Sequence, residues 1–398
     1  MTAIPCAIVR GGTSKGIFIL EEHLPADPSQ RDRVLLALMG SPDTRQIDGL
    51  GGADPLTSKV AIVSRSRRKG IDVEYESVEV GIAEAQVNHG IMCGNLAAGV
   101  GCFAIAEGLV RPKFPLTTIN IYCHNNHKVI VAKIPFLDAT HSMLPTMTGM
   151  NTMVSLVFCN PDGATTGTLL PAGEPATLLS LDNGKSILVS IVDAGTLYAF
   201  VRADAMGLTG SENAAALDGN AHFRTTMELL RLKVADCINQ HGSNGTSVIT
   251  SRQVKMAVIS PPDRQHDSVD IMSRVVNTAT IHKAYAVSAG ICLAAAATIQ
   301  GTLVNEIVRP RNLHFTLRIG HPSGILPLLT HWSQGIHGTI IHATELQISA
   351  RVILRGTVYI FPEISTSRPA KVSDDDVRNV RRVSTAMSQL THEGAGLS

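Results

Sequence analysis

The residues best suited to chemistry lie in a glycine-rich stretch, QIDGLGGADPLTSK, at residues 46–59. Its glycines, Gly52 among them, exclude a regular helix or strand and leave backbone N–H groups free to contact a ligand. Ser58 adds a hydroxyl and Lys59 an ammonium directly before an apolar run that is typical of a buried strand. We expect an anion-binding loop ending in a lysine whose pKa is lowered by partial desolvation, so that it can move a proton. Simple pairing with a carboxylate is the alternative role for this lysine.

A second reactive group, Cys93, stands directly before a long apolar stretch and is followed by Gly94 and Asn95. The stretch LAAGVGCFAIAEGLV at 96–110 has no polar face, which predicts a helix surrounded by protein. Asn95 is expected to cap this helix, whose N-terminus would favour a thiolate at Cys93. Gly94 and Asn95 would offer backbone and amide donors to a carboxylate. A small packing group is the alternative role for Cys93.

Two further loops supply candidate substrate contacts. In RGGTSKG at 10–16, backbone amides, hydroxyls and cations gather between two short apolar runs, although a tight structural turn would use the same residues. A second loop, GHPSG at 320–324, and the segment before the second apolar helix add weaker candidates. The candidate side chains in these places are Arg10, Thr13, Ser14, Lys15, His282, His321 and Ser323.

The second half of the sequence repeats the plan of the first. The run IVDAG at 191–195 resembles the opening strand and glycine loop, and AYAVSAGICLAAAATI at 284–299 is a second apolar helix of small residues. Strands thus alternate with rare helices, which favours an α+β fold over a doubly wound sheet. We expect two duplicated domains, each a sheet or barrel wrapped round one buried helix, with the active site in the cleft between them.

The domain boundaries are predicted from this repeat. The N-terminal domain is expected to span residues 1–182 and to be completed by a strand at about 347–363. The C-terminal domain is expected to span 183–346, and the polar segment 364–398 is interpreted as an appendage.

Composition limits the classes of function. The chain has 398 residues, of which 44% are hydrophobic and 17% charged, with a net charge of +1, so it has ample material for a core. Near-neutral charge and few aromatic residues argue against nucleic acid as a partner. No apolar run is long enough to span a bilayer, and the first residues lack the pattern of a signal peptide. Seven cysteines without framework spacing predict free thiols in a reducing, cytoplasmic compartment.

Cofactor motifs are not found in the sequence. The glycine loops fit neither a Walker A loop nor a dinucleotide fingerprint, and there is no Gly-x-Ser-x-Gly elbow. His124 and His127 are three apart but lack the flanking pattern of a zinc site. We therefore expect no cofactor and no metal, with a small-molecule carboxylate as the partner and a homodimer left open.

Taken together, the motifs resemble those of the PrpF family. RGGTSKG, RQIDGLGGADPLTSK, CGN and GHPSG occur in this order, and the resemblance extends to about residue 362. It implies the diaminopimelate-epimerase-like fold and a cofactor-independent isomerase of unsaturated di- or tricarboxylates, of the aconitate or alkyl-aconitate type. Such an enzyme would shift an allylic proton, for which Lys59 is the candidate base and acid and Cys93 lies beside the substrate.

Several positions depart from the family pattern, among them Met92, Glu174 and Leu197, and this leaves the substrate open. A keto–enol tautomerase of the 4-oxalomesaconate type is one alternative. A two-thiol amino-acid epimerase is another, but the position equivalent to Cys93 is Ala286, and Cys292 lies six residues deeper in the second helix. A non-catalytic binding protein that has kept the pocket is the third.

Overall fold

The fold is taken from a computed structural model. It describes residues 2–135, 152–181, 184–241, 248–262, 268–277, 280–310, 312–336 and 338–360, so the predicted appendage at 364–398 lies outside the described residues. The strands are β1 Thr2–Gly11, β2 Ser14–Leu20, β3 Lys59–Arg65, β4 Val73–Val80, β5 Val87–Asn88, β6 Leu116–Cys123, β7 Lys128–Pro135, β8 Thr152–Cys159, β9 Thr177–Ser180, β10 Ser186–Ala194, β11 Thr196–Arg202, β12 Lys255–Ser260, β13 Ile271–Val276, β14 His314–His321, β15 Gly324–Gly335 and β16 Gly338–Ile360. The helices are α1 Pro28–Met39, α2 Gly94–Ala106, α3 Ala214–Asp218, α4 Ala221–His241, α5 Val287–Thr298 and α6 Leu303–Val308.

Eight strands close into a barrel around α2. Their order is β1-β2-β3-β4-β6-β7-β8-β16, and β16 returns to pair with β1. Every residue of α2 from Gly94 to Ile105 is buried, which is why this helix carries no polar face. The barrel thus holds the start of α2, and with it Cys93, at a defined place inside the protein.

The second half forms a sheet around α5. From β16 its order continues through β15, β14, β13, β12, β11 and β10 to β9, so the long strand β16 belongs to both sheets. All residues of α5 are buried, and α5 shares one hydrophobic cluster with α2. The two halves are therefore joined by a shared strand and by a continuous core.

The two halves repeat the same strand pairings. In the first half β1 and β2 form a hairpin, β2 pairs parallel with β3, and β3 pairs antiparallel with β4. In the second half β10 and β11 form the hairpin, β11 pairs parallel with β12, and β12 pairs antiparallel with β13. The next strands, β6 and β14, pair parallel with β4 and β13 after the chain has passed through α2 and α5. This repeat gives the two buried helices equivalent places.

Some local details differ from the expectations. Cys93 is the N-cap of α2, and Asn95 lies inside the helix, where its side chain bonds to another loop instead of capping. The second apolar helix begins at Val287, after the N-cap Ala286, and not at 284. Strand β9 pairs with β10, although the predicted boundary at 182/183 puts them in different domains. The boundary itself stays a prediction.

Two general expectations can be compared directly with the described residues. All seven cysteines are free thiols, as predicted from their spacing. No described helix combines the length and the apolar character needed to cross a membrane.

Candidate active site

Lys59 is the first residue of β3 and points towards the inside of the barrel. Its side chain shares a strand face with Ala61 and Val63, which pack in the cluster around α2. The ammonium donates a hydrogen bond to Glu79, which lies directly opposite on β4. The Lys59 side chain is 8% exposed and that of Glu79 35%. The pair thus places one buried cation at the start of a strand, with its carboxylate partner open on one side.

The pKa of Lys59 differs from the expectation of a lowered value. Burial lowers this pKa, but the electrostatic interactions with Cys93 and with the Glu79 carboxylate raise it by more, so that the net shift is upward. The expectation of a lowered pKa is therefore wrong for the ligand-free site. At neutral pH Lys59 is an ammonium that can donate a proton or hold an anion.

Cys93 lies where α2 begins, and it is buried. The Tyr75 hydroxyl donates a hydrogen bond of 3.0 Å to the Cys93 carbonyl oxygen, which fixes the backbone before the helix. The free N–H groups and the dipole of a helix N-terminus favour a negative charge at this position. Lys59 and Cys93 interact electrostatically, so an ammonium and a candidate thiolate meet at the barrel interior.

The loop of β1 and β2 packs against the start of α2. Asn95 donates a side-chain hydrogen bond of 3.1 Å to the Thr13 hydroxyl. A β-carbon on Gly11 would lie 2.0 Å from the Asn95 carbonyl oxygen, so only glycine permits this approach. Arg10 donates to the Gly12 carbonyl oxygen at 3.0 Å and to the Ser349 hydroxyl at 2.9 Å. Arg10 thus braces the loop, and its predicted contact with a substrate carboxylate stays a prediction.

Ser14 and Lys15 follow on β2. The Ser14 hydroxyl is buried and has no hydrogen-bond partner among the described residues. A buried polar group without a partner is costly, so it is a candidate for a ligand contact. Lys15 is partly buried, and its backbone N–H donates to the Leu56 carbonyl oxygen at 3.0 Å, which ties β2 to the 46–59 loop.

Gln46 organises the 46–59 loop, and the sequence analysis missed it. Its Oε1 accepts hydrogen bonds from the Ser58 hydroxyl at 2.7 Å and from the Ala53 N–H at 2.8 Å. Ser58 therefore supports the loop through Gln46. Gly52 is exposed, and a β-carbon there would lie 2.3 Å from the Thr57 hydroxyl oxygen. The glycine-rich composition thus serves a tight loop folded round a buried amide.

His282 comes to the same region from the second half. It is buried, and its Nδ1 accepts a hydrogen bond of 3.1 Å from the Ala284 N–H, which leaves Nε2 as the protonated nitrogen. Burial is the main reason why its pKa is lowered, and the positive charge of Lys59 adds to this. His282 is therefore a neutral imidazole that is electrostatically linked to Lys59.

His321 and Ser323 form a compact turn next to His282. The Ser323 N–H donates to His321 Nδ1 at 3.2 Å, and the Ser323 hydroxyl donates to the Lys283 carbonyl oxygen. Burial, followed by the positive charge of Arg274, lowers the pKa of His321 to about 4. The Lys283 ammonium lies 3.9 Å from Asp54 of the 46–59 loop, so this turn and that loop face each other.

The starts of α2 and α5 are in direct contact. A β-carbon on Gly94 would lie 2.7 Å from Val287 Cγ1, so glycine allows the two helix ends to meet. The structure thus brings Lys59, Cys93 and His282 to the meeting point of the two halves.

Glu79 and Lys255 are charged residues of this region that the sequence analysis missed. Burial alone would raise the pKa of Glu79, but Lys59 and Lys255 outweigh it and lower that pKa. Only the cross-strand register makes Glu79 the neighbour of Lys59, and Lys255 is far away in sequence. No spacing signal could have identified either residue.

The structure bears on two alternatives, a second catalytic thiol at Cys292 and a metal site at His124 and His127. Cys292 is fully buried in the middle of α5, and its thiol donates to the Val192 carbonyl oxygen at 3.2 Å, as a packing group would. Across the described ranges no three metal-ligating side chains come together. His124 bonds to Glu74 at 2.7 Å, and His127 accepts from or donates to the Tyr122 hydroxyl at 3.1 Å.

Comparison with known sequences gives consistent matches along the chain. The model of the PrpF protein family matches residues 1–361. A 3-methylitaconate isomerase of Eubacterium barkeri is 37% identical over 373 residues, which are 90% of this chain and 97% of the relative. A 4-oxalomesaconate tautomerase of Pseudomonas putida is 34% identical, with 90% and 96% covered. A 2-methyl-aconitate isomerase of Shewanella oneidensis is 31% identical, also with 90% and 96% covered.

Solved structures give the same fold. The crystal structure of a methylitaconate-delta-isomerase superposes with a TM-score of 0.70 at 36% identity, covering 92% of this chain and 99% of that one. A hydroxyproline epimerase from Agrobacterium vitis superposes with a TM-score of 0.56 at 12% identity, covering 90% and 92%. The second match concerns the fold alone, and together they identify an epimerase-like fold.

Proposed function

Because the chain belongs to the PrpF family, whose matched relatives are isomerases, we propose that it isomerises an unsaturated di- or tricarboxylic acid of the aconitate or alkyl-aconitate type without a cofactor. The observation that carries the proposal is the meeting of Lys59 and Cys93 at the start of α2. One is a buried ammonium, and the other occupies a helix N-terminus that favours an anion.

The proposed reaction divides the proton work between these two groups. The Cys93 thiolate takes the proton from the allylic carbon, and the C–H electron pair passes into a dienolate conjugated with a carboxylate. The Lys59 ammonium stabilises this negative charge and then donates its proton to the other end of the allyl system. A proton passing from the Cys93 thiol to the Lys59 amine restores the starting pair.

This scheme refines the expectation that Lys59 alone is base and acid. A lysine with a raised pKa holds its proton at neutral pH, so a different group must act first as the base. In the dienolate the original double bond has single-bond character, and rotation about it gives cis–trans isomerisation. Return of the proton to the other carbon moves the double bond.

Proton NMR in deuterated water tests the proposal. With cis-aconitate, or alkyl-aconitates where it fails, the wild type is expected to form the isomer and to incorporate deuterium at the exchanging carbon. Lys59→Ala and Cys93→Ser are each expected to lower kcat by about 10²-fold or more. Cys292→Ala is the matched control, because a fully buried mid-helix thiol is not needed for the reaction.

Three results would contradict the proposal. Loss of activity in Cys292→Ala would favour a two-thiol epimerase. Unchanged activity in both Lys59→Ala and Cys93→Ser would remove the proposed site. Binding of the unsaturated acids without exchange or turnover would favour a binding protein.

A keto–enol tautomerase is the second candidate, since a tautomerase of 4-oxalomesaconate is nearly as similar to this chain as the methylitaconate isomerase. The same proton transfer would interconvert a keto acid and its enol. Turnover of 4-oxalomesaconate at a higher kcat/KM than any aconitate would establish this alternative.

A further inference from the structure

The repeated strand pairings relate Lys255 to Lys59. In the first half Gly16 of β2 lies opposite Lys59, and in the second half Tyr198 of β11 lies opposite Lys255. Both lysines are the first residues of strands that follow a crossover from a glycine hairpin. Lys255 is thus the counterpart in the second half of the proposed acid of the first half.

The side chain of Lys255 lies on the strand face that covers the buried helices. Along β12 the residues alternate, and Ala257 and Ile259 pack in the cluster with α2 and α5, whereas Met256 and Val258 pack in the cluster with α4. Lys255 shares the face of Ala257 and Ile259. An ammonium is an unusual group at the edge of this core unless it has a charged neighbour or a ligand.

Lys255 has a different neighbourhood from Lys59. Lys59 bonds to Glu79 across the β3–β4 pairing, whereas the β12–β13 register begins at Met256, opposite Val276, and does not include Lys255. Among the residues that the structure describes, the partly buried Lys255 ammonium forms no hydrogen bond or ion pair, although it interacts with Glu79 at longer range. Burial lowers the pKa of Lys255, so a bound carboxylate would stabilise the charged form of this lysine.

Lys255 lines a cavity of about 570 Å³ between the two halves. The cavity walls come from residues 86–92 and 125–127 on one side and from 164–165, 195–196 and 250–255 on the other. Among the described residues its lining contains no Asp or Glu, but it contains Lys255, Arg252, amide side chains and hydroxyls. It also contains His89, whose pKa is raised to about 9 by hydrogen bonds, first to Glu76 and then to Asp32.

The cavity adjoins the proposed reaction site through Met92, although Lys59, Cys93 and Glu79 are not among its lining residues. Met92, which precedes Cys93, is one of its lining residues, and Glu79 lies under the influence of both lysines. A volume of this size accommodates a small organic acid. A cavity lined by the cations Lys255 and Arg252, beside an acid–base pair, suits a substrate with a carboxylate remote from the reacting carbon.

We propose that Lys255 binds a carboxylate of the substrate in the cavity between the halves, so that each half contributes one lysine to a polycarboxylate bridging them. The inference rests on the proposed function for the identity of the substrate. The site itself can be tested with an acid that cannot be isomerised.

Isothermal titration calorimetry with tricarballylate, the saturated tricarboxylate, tests the site without turnover. The wild type is expected to bind one molecule, and Lys255→Met to bind it about 10- to 100-fold more weakly, as expected for loss of a charge-assisted hydrogen bond. Lys255→Arg keeps the charge and should retain most of the affinity. Lys69→Met, which removes an exposed charge from another turn, should bind like the wild type.

Kinetics show whether the bound carboxylate belongs to the substrate. Where an acid is turned over, Lys255→Met is expected to raise KM strongly, and tricarballylate should inhibit the wild type competitively. No binding of tricarballylate by the wild type, equal binding by a folded Lys255→Met, non-competitive inhibition, or a loss of kcat alone would each overturn the inference. Binding that depends on Lys255 in a protein that turns over no acid would support the site and contradict the isomerase proposal instead.

Discussion

The Glu79 carboxylate helps to set the protonation state of Lys59, the candidate catalytic residue. Burial alone would lower the pKa of Lys59, and the carboxylate opposite it is one of the groups that reverse this effect. The electrostatic interaction with Cys93 and the ion pair with Glu79 therefore favour the charged form of Lys59 in a site where burial alone would disfavour it. Because the Glu79 side chain is 35% exposed, it can change its position when a substrate anion enters the site.

Replacing Glu79 with Gln is expected to lower the pKa of Lys59, since one fewer negative charge then counteracts the effect of burial. The wild type should keep the Lys59 proton to a higher pH than an ordinary lysine does, because the net shift of its pKa is upward. In Glu79→Gln the alkaline limb of kcat/KM should therefore move to lower pH. The measurement is the pH dependence of kcat/KM on the acid that the NMR experiment identifies. Glu84→Gln, an exposed carboxylate near the same strand, serves as the control, and an unmoved limb in Glu79→Gln would argue against this role.

His89 joins two secondary-structure elements by an ionic contact. Its Nδ1 donates to Glu76 of β4 at 2.7 Å and its Nε2 donates to Asp32 of α1 at 2.8 Å, so both ring nitrogens carry protons. These bonds raise the pKa of His89 from 6.5 to about 9. These two bonds of His89, called the His89 contact below, hold α1 against the barrel next to the cavity that contains Lys255.

The contribution of the His89 contact to the free energy of unfolding should depend on pH in a defined direction. Since the folded-state pKa is higher than the unfolded one, the contribution is complete below about pH 6.5 and is lost as the pH rises through about 9. His89→Leu should therefore reduce the free energy of unfolding by about 1 kcal/mol at pH 6, a value that allows for the partial exposure of the side chain. At pH 10 the variant and the wild type should differ much less.

Urea unfolding of both proteins at the two pH values measures the difference. His222→Gln, a change of an exposed histidine on α4, is the control and should have little effect at either pH. A destabilisation of His89→Leu that is as large at pH 10 as at pH 6 would show that the ring acts by packing and not by charge.

The close approach of α2 and α5 joins the two halves of the molecule, because each helix belongs to a different half. Gly94→Ala would place a methyl group 2.7 Å from Val287 Cγ1, and valine cannot rotate freely to avoid it. The variant should lose about 1–3 kcal/mol of stability through overpacking. Its kcat should also fall, because Cys93 and Lys59 would shift relative to the second half.

A double-mutant cycle separates this contact from other effects. Val287→Ala removes the obstructing methyl groups, so the double variant Gly94→Ala/Val287→Ala should be more stable than the sum of the single changes predicts. Urea unfolding gives the stabilities, and steady-state kinetics give kcat. Strict additivity of the two changes would contradict the proposed contact between the helix starts.

Much of the fold could be predicted from the sequence, because buried segments have a characteristic apolar composition. The apolar, small-residue stretches that become α2 and α5 have no polar face, and each is fully buried. Their repeat along the chain indicated equivalent halves, and the structure has the same strand pairings in both. The exact start of α5 was missed by three residues, because an apolar segment contains no signal that separates the helix from the irregular residues before it.

Candidate site residues divide according to whether their role is local or tertiary. The sequence by itself determined the family motifs, the place of Cys93 before a helix and the choice of Lys59, because glycine loops and apolar runs act over a few neighbouring residues. Only the tertiary structure decided that Glu79 faces Lys59, that Gln46 holds Ser58 and that Lys255 lines a cavity with the other half. These contacts depend on strand register and on the packing of distant segments. The charge state of Lys59 follows from them, and for that reason it could not be predicted from the residue type and spacing alone.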